Sequence, residues 1–257
     1  MPFQDILVEK RDHVALITFN RPEKLNAFRA QTNLELLEAL DEIEKDDDVH
    51  SVVLTGTGGG FCTGHDMSDP AEPPADRLGW NAQGRAYGRI IFKLLHLRQP
   101  VVAAINGWCV AGGVGIALAC DILIASDDAQ FYMPQIMYGY PSMPGVGALF
   151  AMYTSMAWTK DLILRRRKID AATAERIGLI TQVTPRAELL DEAWKAGREL
   201  AEVPPDIMMM QREMMNRIWM GVTGLEAAML SGRHTAIAGH SLPDWEEREA
   251  NWKTIKR

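Results

Sequence analysis

The sequence predicts an α/β layered core followed by a helical C-terminal part. Apolar segments of strand length alternate with amphipathic helical segments up to about residue 185, and the patterns after that point are helical. The recurring order is strand, strand, helix rather than strand, helix. No sequence repeat and no flexible linker interrupts the chain. We therefore assign residues 1–200 to the core and residues 201–257 to a C-terminal helical region.

The N-terminal quarter begins with two apolar segments, residues 5–9 and 13–19, which are joined by a short charged stretch and predict a β-hairpin. Residues 30–45 have the periodicity of an amphipathic helix. Residues 51–55 form a continuous apolar run that predicts a buried strand, and the glycine-rich residues 56–60 predict a loop.

The middle of the chain contains the longest apolar stretch, residues 101–124. It predicts a buried strand, a tight turn at Asn106-Gly107, a glycine cluster that opens a short helix, and a second buried strand. Before it, the proline-rich residues 69–75 predict a mobile surface segment, and residues 85–97 an amphipathic helix. After it, residues 129–133 predict a short strand and residues 134–147 a loop.

Further on, the pattern predicts a helix over residues 148–164, a short helix over 171–177 and a strand over 179–184. Helices follow over residues 191–201 and from residue 204 onward. The last of these regions is rich in methionine, which is typical of an adaptable core or interface.

Composition excludes several classes of function. The net charge of −7 argues against nucleic-acid binding, and no run of about 18 apolar residues predicts a membrane span. Cys62, Cys109 and Cys120 are odd in number and lie in apolar contexts, which indicates reduced core residues. The N-terminal segment lacks the apolar core of a signal peptide, so we expect a cytoplasmic protein. No metal-binding motif is present, and we expect no metal.

The glycine cluster Gly112-Gly113-Val114-Gly115 is the most informative motif. A helix N-terminus carries unpaired N–H groups and a partial positive charge, and glycines let a ligand oxygen approach the backbone. This predicts an anion or oxyanion site, with tight packing of a helix on a sheet as the alternative. The dinucleotide fingerprint fails because Leu118 stands where it requires glycine, and no P-loop signature follows.

Five segments in this order resemble the crotonase (enoyl-CoA hydratase/isomerase) family. They are NRPEKLNAF at residues 20–28, FCTGHDM at 61–67, AING…GG at 104–113, ACDI at 119–122 and IDA…A…IGLI at 169–180. The resemblance covers nearly the whole chain. It implies a spiral of ββα units whose C-terminal helical region forms a homotrimer or a dimer of trimers.

The resemblance also implies a substrate and a site. The substrate is an acyl-CoA thioester, so coenzyme A is part of the substrate and no separate cofactor is expected. The thioester oxygen would lie between the backbone N–H groups of His65 and Gly112, which stabilise negative charge as it develops. The residues that would meet the CoA part are Lys24, Asn26, Ala27, Gly64, Asp66 and Met67.

Two positions depart from the pattern of the family's hydratases. Those enzymes carry two glutamates that hold and activate water, and this chain has Gly115 and Gln135 there. A glutamine amide does not act as a base at neutral pH, so hydration by the two-glutamate mechanism is not expected. Gly115 either leaves room for a bulkier acyl group or is covered by a neighbouring side chain.

Other groups could take over the chemistry. Gln135 could orient water or substrate, Tyr140 could donate a proton or a hydrogen bond, and the His65 imidazole could titrate near neutrality, with structural roles as the alternatives. The open reactions are C–C bond hydrolysis, decarboxylation or thioester hydrolysis on an acyl-CoA or diketone substrate, and hydration or isomerisation by a different acid–base group. A catalytically degenerate acyl-CoA-binding protein is the competing hypothesis.

Overall fold

The computed structural model describes residues 3–68, 77–138, 142 and 145–224. This part of the chain is a mixed α/β structure with two sheets. Its strands are β1 (Ile6–Arg11), β2 (Val14–Phe19), β3 (Ser51–Gly56), β4 (Gly60–Cys62), β5 (Val101–Ile105), β6 (Trp108–Val110), β7 (Ile122–Ser126), β8 (Gln130–Tyr132), β9 (Ile169–Asp170) and β10 (Gln182–Thr184).

The described helices are α1 (Ala30–Lys45), α2 (Arg77–His96), α3 (Gly112–Leu118), α4 (Val146–Tyr153), α5 (Met156–Leu164), α6 (Ala171–Arg176), α7 (Leu189–Ala201) and α8 (Pro205–Thr223). None of them is both long and apolar enough to cross a lipid bilayer.

The larger sheet has six strands in the order β1-β2-β3-β5-β7-β10. The predicted hairpin is present, because β1 and β2 pair antiparallel from Ile6 opposite Phe19 to Arg11 opposite Val14. The other pairs in this sheet are parallel. Parallel neighbours need a crossover connection, which explains the helices between successive strands.

Both faces of the larger sheet are buried. Along β2, Val14 and Leu16 pack on the side of α7, whereas Ala15 and Ile17 point to the main core, to which α1 and α2 contribute. A strand buried on both faces has apolar residues at successive positions, which is the pattern seen in the sequence. The three cysteines are buried and unpaired, as expected.

The smaller sheet, with the order β4-β6-β8-β9, has strands of two or three residues. The sequence analysis missed β6, because Trp108–Val110 is too short to produce a periodic pattern. This strand nevertheless lies at the centre of the sheet, between β4 and β8, and pairs with both in parallel.

Several predicted boundaries were wrong. Helix α2 begins at Arg77, eight residues before the predicted start, and β10 begins at Gln182 rather than 179. The helix predicted over residues 148–164 is two helices, because Ser155 caps α5 by accepting a hydrogen bond from the Trp158 amide. The loop predicted after β8 contains a short 3₁₀ helix, Gln135–Tyr138. The predicted mobile segment, residues 69–75, lies outside the described residues.

Candidate active site

The smaller sheet brings three predicted site segments to one edge. Strands β4, β6 and β8 run parallel, with Cys62 opposite Cys109 and Val110 opposite Tyr132. Their carboxyl ends therefore meet, and adjacent strands lie about 4.8 Å apart. The residues that follow these ends are Gly64 and His65 after β4, Gly112 after β6 and Gln135 after β8.

The ends of β4 and β6 touch through glycines. A Cβ atom added to Gly64 would lie 2.9 Å from the Gly112 nitrogen and 3.1 Å from the Ala111 Cβ. A Cβ atom added to Gly113 would lie 2.0 Å from the Cys62 carbonyl oxygen. Glycine is required at both positions because any side chain would force the strand end and the helix apart. The structure thus places the two predicted oxyanion segments in direct contact.

His65 lies three residues after β4, beyond the bend at Gly64, and forms an isolated parallel bridge with Phe28. The Phe28 amide donates to the Gly64 carbonyl at 2.8 Å, and the Asp66 amide donates to the Phe28 carbonyl at 2.9 Å. In this parallel pattern, Phe28 bonds the residues before and after His65, and the N–H and C=O groups of His65 point away from Phe28. The half-buried imidazole packs edge-on against the Phe28 ring, with centroids 5.7 Å apart.

Helix α3 begins at Gly112 after an unusual backbone turn. Ala111 has φ 53° and ψ −113°, a conformation that residues with a side chain seldom adopt. The Ala111 amide donates to the Tyr132 carbonyl at 2.9 Å, which ties the turn to β8. Because Gly112 is the first residue of α3, its N–H has no acceptor within the helix. The turn at Ala111 thus sets the direction of that N–H group.

Tyr87 on α2 was not singled out from the sequence, and it covers Gly115. A Cβ atom added to Gly115 would lie 2.1 Å from the Tyr87 hydroxyl oxygen and 2.8 Å from Val146 Cγ2. The structure therefore supports the second alternative for Gly115, a gap filled by a neighbouring side chain. Tyr87 is fully buried, and this burial raises the pKa of its hydroxyl well above the ordinary value. The group stays protonated and donates to the Gly112 carbonyl at 2.8 Å.

Gln135 is buried at the end of β8, with 9% of its surface exposed. Its side-chain Oε1 accepts no hydrogen bond from any described residue, and its Nε2 lies 4.0 Å from Met133 Sδ. Tyr132, which precedes it, donates its hydroxyl to Met137 Sδ at 3.3 Å. Tyr140 lies outside the described residues, so its predicted role stays a prediction.

Two of the residues predicted to meet the CoA part lie together. The Lys24 ammonium donates to Ser68 Oγ at 2.9 Å, and this hydroxyl donates to Asp66 Oδ1 at 2.7 Å. Asp66 also pairs with Arg21 at 2.8 Å. Burial of the carboxylate acts against ionisation, but the bonds from Ser68 and Arg21 outweigh it and lower the pKa of Asp66 to about 2. Asp66 is therefore ionised at neutral pH.

The remaining predicted CoA contacts differ in exposure. The Asn26 side chain is buried and accepts from the Arg21 amide while it donates to the Thr57 and Gly60 carbonyls. These bonds give that side chain a structural role, and only its backbone remains for the predicted contact. Ala27 is buried, whereas Met67, which lies between Asp66 and Ser68 in the chain, is half-buried.

Comparison with known proteins gives one consistent result. The family model described as enoyl-CoA hydratase/isomerase matches residues 9–230. A probable enoyl-CoA hydratase of Mycobacterium bovis is 35% identical over 219 residues, which cover 84% of this chain and 83% of that protein. A 4-chlorobenzoyl coenzyme A dehalogenase-2 of an Arthrobacter species is 32% identical over 252 residues, which cover 97% and 90%.

A solved structure agrees with these relatives. The enoyl-CoA hydratase/isomerase from Xanthobacter autotrophicus Py2 is 29% identical, with a TM-score of 0.90 over 98% of this chain and 94% of that one. This likeness confirms the mixed α/β crotonase-like fold that the sequence motifs predicted. The chain therefore belongs to the enoyl-CoA hydratase/isomerase, or crotonase, family.

Proposed function

We propose that this chain acts on an acyl-CoA thioester and stabilises an enolate or tetrahedral oxyanion between the backbone N–H groups of His65 and Gly112. The observation that carries this proposal is the contact between the two glycine turns, where Gly64 abuts the Gly112 nitrogen. Preorganised N–H donors act on charge that develops in the transition state, and each is worth about 10²–10³ in kcat. The names of the relatives, which refer to coenzyme A thioesters, support the substrate class.

We further propose that the enzyme does not use the two-glutamate mechanism of hydration. The stretches 77–120 and 129–160, which contain α2, α3, α4 and the segment after β8, hold no Asp or Glu. The volume beside Gly115 is occupied by Tyr87, and Asp66 is paired with Arg21. A carboxylate base would therefore have to come from elsewhere in the chain, whereas the two proposed donors, His65 and Gly112, lie on segments that touch.

This lack of acids favours decarboxylation as a second, more specific candidate. When a carboxylate leaves the α carbon of a malonyl-type thioester, the electrons of the broken C–C bond pass into the thioester and form its enolate, and CO₂ departs. The α carbon then takes a proton from water. The step needs oxyanion stabilisation but no protein base, and the stretches 77–120 and 129–160 hold no Asp or Glu that would repel the substrate carboxylate.

A panel of CoA thioesters tests both proposals. Crotonyl-CoA, malonyl-CoA, methylmalonyl-CoA, acetoacetyl-CoA and a short saturated acyl-CoA are incubated with the protein, and products are identified by mass spectrometry. We expect conversion of at least one thioester and poor hydration of crotonyl-CoA. Efficient hydration of crotonyl-CoA would contradict the atypical mechanism, and tight binding without any conversion would favour a catalytically degenerate binding protein.

Two variants of Gly112 link turnover to the oxyanion donor. Gly112→Pro removes the N–H group, whereas Gly112→Ala keeps it. Both variants add a Cβ that meets the Phe28 ring at about 2.8 Å. Proline also fixes φ at this position and restricts the backbone of Ala111, so kcat is compared at a temperature where urea unfolding shows both variants to be folded. We expect Pro to lose about 10²-fold more kcat than Ala. Equal kcat values for the two would exclude Gly112 as a donor.

The predicted CoA contacts and assembly are part of the same proposal. We expect Lys24→Ala to raise KM for a CoA thioester several-fold and to leave kcat unchanged, because the exposed ammonium would contact the CoA part far from the reacting thioester.

We also expect a homotrimer or a dimer of trimers, and sedimentation would measure this oligomeric state. Exposed apolar residues on α8 support an interface: Ile207, Met209, Met210, Met214 and Met215. Turnover that survives chelation would support the expected absence of a metal.

A further inference from the structure

Two tyrosine hydroxyls hold helix α3, one at each end. Tyr87 donates to the carbonyl of Gly112, the first residue of the helix, at 2.8 Å. Tyr153 donates to the carbonyl of Cys120, just beyond the last turn, at 2.8 Å. Burial raises the pKa of both hydroxyls, so both remain donors. Only the first of these anchors lies at the proposed oxyanion site.

The start of α3 needs such an anchor. The backbone of Ala111 is held in a sparsely populated conformation, and such strain persists only when surrounding bonds fix it. The neighbouring bonds are Ala111 N–H to Tyr132, Gly115 N–H to the Ala111 carbonyl at a long 3.4 Å, and the Tyr87 hydroxyl to Gly112. The intrahelical bond is weak at that length, so the restraint falls mainly on the bond from Ala111 to Tyr132 and on the bond from Tyr87 to Gly112.

The Tyr87 ring connects the same anchor to the other donor. It stacks on Phe28 with centroids 5.5 Å apart, and the Phe28 backbone bonds the residues on both sides of His65. Gly112 has no side chain, so the Phe28 and Tyr87 rings lie directly against its Cα. One buried aromatic pair thus supports both backbone donors.

Resting on the function proposed above, we propose that Tyr87 is a positioning residue that aims the Gly112 N–H at the thioester oxygen through its bond to the Gly112 carbonyl. Gly115 belongs to this arrangement, because any side chain there would displace the hydroxyl. Gly115 stands where the family's hydratases carry a glutamate. Because it has no side chain, the Tyr87 hydroxyl occupies the space beside it.

The test measures the polarisation of a bound thioester directly. Acetyl-CoA labelled with ¹³C at the thioester carbonyl is bound to the protein, and its C=O stretching band is recorded by difference infrared spectroscopy. Two aligned donors lower the frequency of this band relative to free acetyl-CoA. We expect Tyr87→Phe, which keeps the ring and removes only the hydroxyl, to return the band toward the free value while Kd changes by less than about threefold.

Tyr153→Phe is the matched control. It removes the same kind of bond from the opposite end of α3, and the urea midpoint of both variants reports the structural cost. We expect a similar loss of stability in both and a band shift only in Tyr87→Phe. Gly115→Ala is a second route to the same effect, because its Cβ would meet the hydroxyl at 2.1 Å. We expect it to shift the band in the wild-type background and to shift it less in the Tyr87→Phe background, where the hydroxyl is gone and the contact with Val146 Cγ2 at 2.8 Å remains.

Three outcomes decide between the proposals. A band that moves in Tyr87→Phe and Gly115→Ala but not in Tyr153→Phe supports the positioning role. A low-frequency band that persists in folded Tyr87→Phe, or in Gly115→Ala should Tyr87→Phe not fold, overturns that role and leaves the oxyanion site intact. A wild-type band equal to that of free acetyl-CoA overturns the oxyanion site, and the positioning role with it.

Discussion

Gly64→Ala is the sharpest perturbation of the candidate site. Gly64 has φ +81°, which costs a residue with a side chain about 1–2 kcal/mol. The new Cβ would lie 2.9 Å from the Gly112 nitrogen, and ordinary contact begins near 3.4 Å, so the two segments must separate by about 0.5 Å. Overpacking of this kind costs about 1–3 kcal/mol. Together these terms predict a loss of about 2–5 kcal/mol in the free energy of unfolding.

The activity should fall more than stability alone explains. A 1 Å misplacement at a catalytic site costs about 10²-fold, so a separation half as large predicts a loss of about tenfold in kcat. Urea unfolding measures the first quantity, and turnover of the thioester identified in the panel measures the second, at a temperature where the variant is folded. Gly59→Ala is the control. It lies just before the other end of β4 and has no positive φ, and among the residues that the structure describes a Cβ there would meet only Leu25, at 3.8 Å.

The refuting result is a folded Gly64→Ala protein with kcat close to that of Gly59→Ala. It would mean that the Gly64–Gly112 contact does not hold the reacting groups, and that the oxyanion site lies elsewhere. A loss of stability with unchanged kcat would have the same meaning, because the strain would then be absorbed away from the site.

Three further predictions follow. Gly115→Glu should not create crotonyl-CoA hydration, because Tyr87 fills the space beside residue 115. Loss of enoyl absorbance measures hydration, and a folded variant that hydrates crotonyl-CoA would contradict this prediction. The pKa of Asp66 is about 2 when folded and near 3.8 when unfolded, so its carboxylate contributes about 2 kcal/mol above pH 4 that is lost as pH falls toward 2. Urea midpoints across this range should therefore vary less in Asp66→Asn, and an equal slope would refute the assignment. Arg212→Ala removes a guanidinium with 4% exposure that donates to the Leu94 and Leu97 carbonyls and pairs with Asp121. We expect the free energy of unfolding to fall by about 3–5 kcal/mol and hydrogen exchange in α8 to become faster. Unchanged exchange would contradict this expectation.

Much of the architecture was predictable because a buried face requires apolar residues at regular intervals along the sequence. The hairpin, α1 and β3 appear as predicted, since each is long enough for its apolar period to be read. Short elements were not predictable. Strand β6 has three residues, and its pairing with β4 and β8 comes from long-range contacts rather than from its own composition.

The candidate site divides in the same way. The glycine turns at Gly64 and Gly112 could be found from sequence because glycine is needed wherever two backbones approach closely. Tyr87 could not be found, because an aromatic residue on an amphipathic helix has the pattern of ordinary core packing. Its importance follows only from the position of its hydroxyl beside Gly115 and the Gly112 carbonyl.

The sequence by itself determined the family and predicted the two glycine turns of the candidate site, because each of these depends on which residues are present and in what order. The tertiary structure decided that Gly64 touches Gly112 and that the hydroxyl of Tyr87, from another helix, fills the space beside Gly115. Such contacts join residues 25 or more positions apart, and local sequence carries no information on which distant side chain will fill a given volume.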